Sequence, residues 1–102
     1  MLIQKNKQLD IGDIATFKMV NGDEVVAKII GKTDIGYILS SPCSLIPGPK
    51  GGYGLMQTLI SADNHATVEL KHSHIMLSAA TIDQMCKLYI KTTSGLEVVG
   101  NA

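Results

Sequence analysis

Three histidines, two cysteines, a serine pair and one glycine-rich lysine loop are the groups whose spacing invites a chemical reading. His72 and His74 stand at i and i+2, so on a strand they point the same way, as two metal ligands would, with His65 upstream. No third ligand follows at a familiar spacing, and these histidines are expected at the surface or partly buried, with no metal or other cofactor. Ser40, Ser41, Asp34 and the histidines contain the members of a hydrolytic triad. No G-x-S-x-G elbow presents either serine, so no catalytic residue is assigned and no enzyme is expected. The run GPKGG, Gly48 to Gly52, carries Lys50 but lacks the G-x-x-x-x-G-K-[ST] spacing and leads into a strand pattern. It reads as a hairpin connection, and no small-molecule substrate is implied.

Cys43 and Cys86 lie far apart and form no C-x-x-C pair. They are expected to behave as small buried hydrophobes in a reducing compartment. Nine basic residues balance nine acidic ones, which removes the net positive field of a sequence-independent nucleic-acid binder. A ring could still build a local positive patch by repeating a few lysines about its axis. One Phe, three Tyr and no Trp are few for a surface that stacks several bases. The first residues, MLIQKNKQLDIGD, have no long apolar core, and no run approaches the ~18 apolar residues of a membrane span. A soluble, cytoplasmic protein without a membrane partner is the expectation.

The elements that must position these groups follow from periodicity. A chain of 102 residues with 45% hydrophobic content supports one domain over residues 1–102. Ala15, Phe17 and Met19 alternate against Thr16 and Lys18 as a first strand. Asn21-Gly22 supplies a type I′ turn, and Gly22-Asp23 would also serve. The run EVVAKII is apolar on both faces, so it is either covered on both sides or bent, with Ala27 at the bend. IGYILSSPCSLIP is a third strand, in which Pro42 and Pro47 indicate an edge, a bulge or an early end. YGLMQTLIS is a fourth, ADNHA a turn, and TVELKHSHIMLSA a fifth, with Val68, Leu70, His72 and His74 on one face.

The period then changes. Thr81 and Gln84 form a capping-box pair, and Ile82, Met85, Cys86 and Tyr89 recur at helical spacing. A helix over roughly 82–93 is expected, with Gly95 at its C-cap and Leu96 as the apolar partner of a Schellman motif. The strands, roughly 14–78, suggest a bent antiparallel sheet that closes on itself, with the helix covering an open end.

FKMVNGDEVVAKIIGKTDIGYILSS resembles the first motif of the Sm-like (LSm) family through Met19, Gly22, Val25, Ile29, Asp34 and the run from Tyr37 to Leu39. The whole chain, with LYIKTTSGLEVV near its end, is similar to the small Sm-like proteins of marine phages of cyanophage type. Ala27 replaces the family's second glycine, the asparagine after the loop aspartate is absent, and so is the Arg/Lys-Gly pair of the second motif. The helix also follows the strands instead of preceding them. The resemblance implies a mainly β protein: a strongly bent, five-stranded, antiparallel Sm-like (SH3-like) barrel with a C-terminal helix. It also implies a homo-oligomeric ring of about five to seven subunits whose edge strands pair. In that family the loops after the second and fourth strands contact RNA. The corresponding candidates are Lys32, Thr33 and Asp34, with Asp63, Asn64 and His65. The reading is a non-catalytic, ring-forming protein with an RNA-binding role. The alternative is a phage structural or assembly protein that uses the same barrel for protein contacts.

Overall fold

A computed structural model describes residues 8–63 and 65–100, with side chains as far as residue 94. The alternating run becomes β1 (Ile14–Met19), with Ala15 and Phe17 fully buried and Lys18 exposed. β1 turns into β2 (Glu24–Lys32) through Gly22, whose φ is +98°. Asn21 is not in the left-handed region, so the turn is not type I′. Instead the Met19 N–H donates to the Asp23 carbonyl and the Gly22 N–H donates to that of Met19, a longer loop with glycine at its left-handed position.

β2 is both covered and bent. Val25, Val26, Ala27 and Ile29 are buried, and the register against β3 (Gly36–Pro47) shifts at Ala27 and again at Ile30. β3 bends at the same level, where Ser41 takes φ +50°. Its two halves pair with different strands on the side away from β2. Gly36 to Ser40 pair with β5 (Thr67–Lys71), and Cys43 to Pro47 pair with β4 (Tyr53–Gln57). Pro42 falls at the changeover; having no N–H, it costs the ladder nothing there, while its carbonyl accepts from the Thr58 N–H.

The segment expected as a fifth strand is two strands. β5 ends at Lys71, a 3₁₀ turn occupies His72–His74, and β6 (Ile75–Ala80) continues along β1. His72 and His74 are therefore not strand neighbours on one face. All pairings are antiparallel, and six strands are found among the described residues, in the order β4-β3-β2-β1-β6 with β5 beside β3. This corrects the five-stranded closed barrel. The turn sends β5 to β3 and β6 to β1, and no ladder joins β5 to β6, so the sheet is bent but not closed.

α1 (Asp83–Gly100) runs through Gly95, which is an interior residue and not a C-cap. A glycine within a helix costs about 1 kcal/mol, too little to end one by itself. The capping box is not formed: the Thr81 hydroxyl bonds that of Thr16, and Ile82 supplies the first helical carbonyl, to Cys86. Among the described residues no helix is long and apolar enough to cross a membrane.

Two apolar clusters flank β2. The inner one holds Leu9, Ala15, Phe17, Ala27, Ile29 and Leu39, with Val68, Leu70 and Ile75 packed on it. The outer one, under α1, holds Val26, Cys43 and Tyr89, with Ile14 and Leu55 beside them.

Candidate nucleic-acid interface

The β2–β3 turn is short and tightly tied. The Thr33 N–H donates to the Gly36 carbonyl at 2.9 Å, and the Ile35 N–H donates to the Thr33 hydroxyl. That hydroxyl in turn donates to the Glu69 carboxylate on β5 at 3.1 Å. Lys32 lies 3.5 Å from the Asp10 carboxylate, whose pKa is held below the usual range first by the Ile11 N–H and then by Lys32. Asp34 and Ile35 are exposed at the tip.

Antiparallel register decides what this turn meets. Gly36 pairs with Lys71 and Ser40 with Thr67, so the turn lies at the C-terminal end of β5, beside the His72–His74 turn. The His72 N–H donates to the Ile35 carbonyl at 2.7 Å and fixes the two turns together. A cleft of about 380 Å³ opens between them, lined by Asp34, Ile35, Lys71, His72 and Ser73. The His72 ring stands edge-on to Tyr37 at 5.2 Å, and Tyr37 packs on buried Phe17 at 5.5 Å. One line of aromatic contacts therefore ties the cleft to the inner core.

Asp63 and His65 are not part of this cleft. They precede Thr67, at the opposite end of β5, about 14 Å away by strand rise. There the Asp63 carboxylate accepts from the His65 N–H, an Asx turn that starts the strand. Asn64 lies outside the described residues. Of Lys32, Thr33 and Asp34, Asp34 lines the cleft with Lys71, His72 and Ser73, while Thr33 reaches Glu69 and Lys32 reaches Asp10. The signal was the polar run Lys71-His72-Ser73-His74 between two apolar stretches. It was hidden because Val68, Leu70, His72 and His74 keep a period of two through it.

Away from the cleft, the Lys50 loop is a hairpin connection with Gly51 and Gly52 at positive φ. Cys43 is buried and Cys86 half-buried, both unbridged, and burial pushes the Cys43 thiol pKa up. Among the described residues no three His, Cys, Asp or Glu side chains converge to hold a metal. No protein-family model matches the sequence, and no curated protein matches it.

Proposed function

We propose that the chain is an Sm-like protein that assembles into a homo-oligomeric ring and binds RNA without chemistry. The observation that carries this reading is the strand arrangement. β6, β1, β2, β3 and β5 pair in sequence, β2 and β3 bend sharply, and among the described residues the outer edges of β5 and β6 take no ladder partner. An open edge is a template for another strand, and a ring pairs the β5 and β6 edges of neighbouring copies.

The cleft beside the β2–β3 turn supplies the RNA contacts in this reading. Lys71, with Lys32, meets phosphate, while the His72 ring and the Ile35 side chain offer a surface for a base. Thr33 and Asp34 supply polar contacts, and Asp63, Asn64 and His65 form a second contact at the other end of β5. Repetition around a ring converts weak single contacts into useful avidity. A second reading, a protein partner on the same surface, is favoured by the acidic groups there: Asp10, Asp34 and Glu69 against Lys32 and Lys71.

Binding of labelled oligo-U and oligo-A at graded salt separates the two. A salt-dependent shift is expected from phosphate contacts. No shift even at low salt overturns the RNA reading, and a monomer at micromolar concentration overturns the ring.

A further inference from the structure

The outer face of the sheet, opposite the inner cluster, is only partly covered by α1. Register identifies its residues. Thr16 lies across from Val26 on one side and from Ala79 on the other, and Lys18 lies across from Glu24. They alternate with Ala15 and Phe17, fully buried on the inner side, so all of them share the outer face. The Thr81 hydroxyl bonds that of Thr16 and brings the start of α1 onto this face. A groove of about 400 Å³ results, with Glu24, Val26 and Leu45 along its floor, Ile82 and Met85 on one side and Tyr53 on another. That volume lies in the range of small-molecule sites.

One group in this lining differs from the rest. Glu24 is its only charged residue and is half-buried. Among the described residues its carboxylate has no hydrogen-bond or ion-pair partner. Lys18, across the ladder, lines the adjoining cleft with Leu77 and makes no ion pair with it. A carboxylate set against apolar surface gives up part of its hydration, and a cation with an apolar body of its own offsets that loss through a charge-assisted hydrogen bond. Tyr53 and Met85 bring a ring and a thioether, both good surfaces for an aromatic body, and the ring also attracts positive charge. The positive end of α1 borders the groove, and Asp83 in its first turn counters it.

We infer that this groove binds a small organic cation, with an ammonium group held by Glu24 and an apolar body seated against Val26, Leu45 and Met85. An anion of the same shape meets a like charge at Glu24, and a neutral analogue leaves the carboxylate without a counter-charge. Glu24 opens β2 and Lys32 closes it, so the site lies at the other end of that strand from the β2–β3 turn and does not depend on the RNA reading.

NMR titration of the full chain with phenethylammonium, phenethyl alcohol and hydrocinnamate tests it, because the three share a body and differ in charge. Amide shifts are expected at Glu24, Val26, Ala79 and Met85. The ammonium is expected to bind about three- to ten-fold more tightly than the alcohol, with the carboxylate weakest. Glu24→Gln should level ammonium and alcohol while the shifts stay in place. Ala79→Trp lays an indole on the floor and should abolish binding of all three. Both positions lie outside the two apolar clusters, so circular dichroism is expected to match wild type. Equal affinity for ammonium and alcohol in wild type overturns the proposal, as does a preference that survives Glu24→Gln. Shifts confined to the cleft beside His72, or no shifts in the groove, overturn it as well.

Discussion

The inner and outer clusters share β2 as a common wall, but they are built by different means. The inner cluster gathers six buried residues from β1, β2, β3 and the segment before β1, and all six side chains are apolar. The outer cluster has three buried residues and depends on one helix, seated by a hydrogen-bonded tyrosine. The Tyr89 hydroxyl accepts from the Lys28 N–H at 3.2 Å and donates to the Ser40 carbonyl at 2.8 Å. Those two groups flank the slip in the β2–β3 ladder, so the helix repairs the bulge that the bend creates. The inner cluster shapes the sheet, and the outer one stabilises the bend and the position of α1.

Phe17→Ala attacks the inner cluster at its largest fully buried side chain. A loss of about 3–5 kcal/mol in denaturant unfolding is expected, from lost transfer energy and the cavity left behind. Because Tyr37 rests on Phe17 and His72 on Tyr37, His72 ring resonances should broaden in the same variant. Unchanged resonances would separate the cleft from the core.

Gly36→Ala is next in size and touches the same side. A Cβ at Gly36 would collide with the Leu70 carbonyl oxygen, a backbone atom that cannot turn aside. The β3–β5 ladder must then open where the two turns meet. A cost of about 3 kcal/mol is expected, with loss of amide protection at Lys71 and His72 and retained protection in β1–β2.

Much of this architecture was legible in the sequence. β1, β2 and β3 follow from alternation, from the two-faced apolar run and from turn residues. The helix follows from Met85, Cys86 and Tyr89. What was not legible depends on register. The run from Thr67 to Ala80 keeps its period through the 3₁₀ turn, so one strand was expected where two diverge. The same split brings Lys71, His72 and Ser73 beside the β2–β3 turn, while Asp63 and His65 precede the other end of β5. Tyr89 was expected on the buried face of the helix, but its hydrogen-bond partners come from bulges that no local pattern announces.

Tyr89→Phe isolates the polar part of the outer cluster, since the ring stays and only the hydroxyl goes. The Lys28 N–H and Ser40 carbonyl lose their partner, at a cost of about 1–3 kcal/mol. Protonation gives the same contact a pH signature. Burial raises the Tyr89 pKa from about 10 to about 12. A group whose folded pKa is raised contributes stability that is complete below its unfolded value and is lost as pH rises toward the folded one. Wild-type stability should therefore fall between pH 10 and about 12, and Tyr89→Phe should flatten that part of the profile. An equal decline in both proteins would remove Tyr89 from the account.

The smallest effect belongs to Asp10 and Lys32, at the exposed margin where the segment before β1 meets the end of β2. An exposed ion pair adds little, so Lys32→Met is expected to leave stability nearly unchanged. Its value lies in the titration of Asp10. Because the Ile11 N–H, the largest single cause, still lowers that pKa when the lysine is gone, its removal should bring the carboxyl only part of the way back. Carboxyl chemical shifts followed through acid would show it. A depressed folded pKa supplies stability above the unfolded value that is lost as pH falls through the folded one, so the Asp10 share of the acid loss that persists in Lys32→Met belongs to the turn. Full recovery of the ordinary pKa in Lys32→Met would mean that the ion pair, and not the turn, orders this corner beside the cleft.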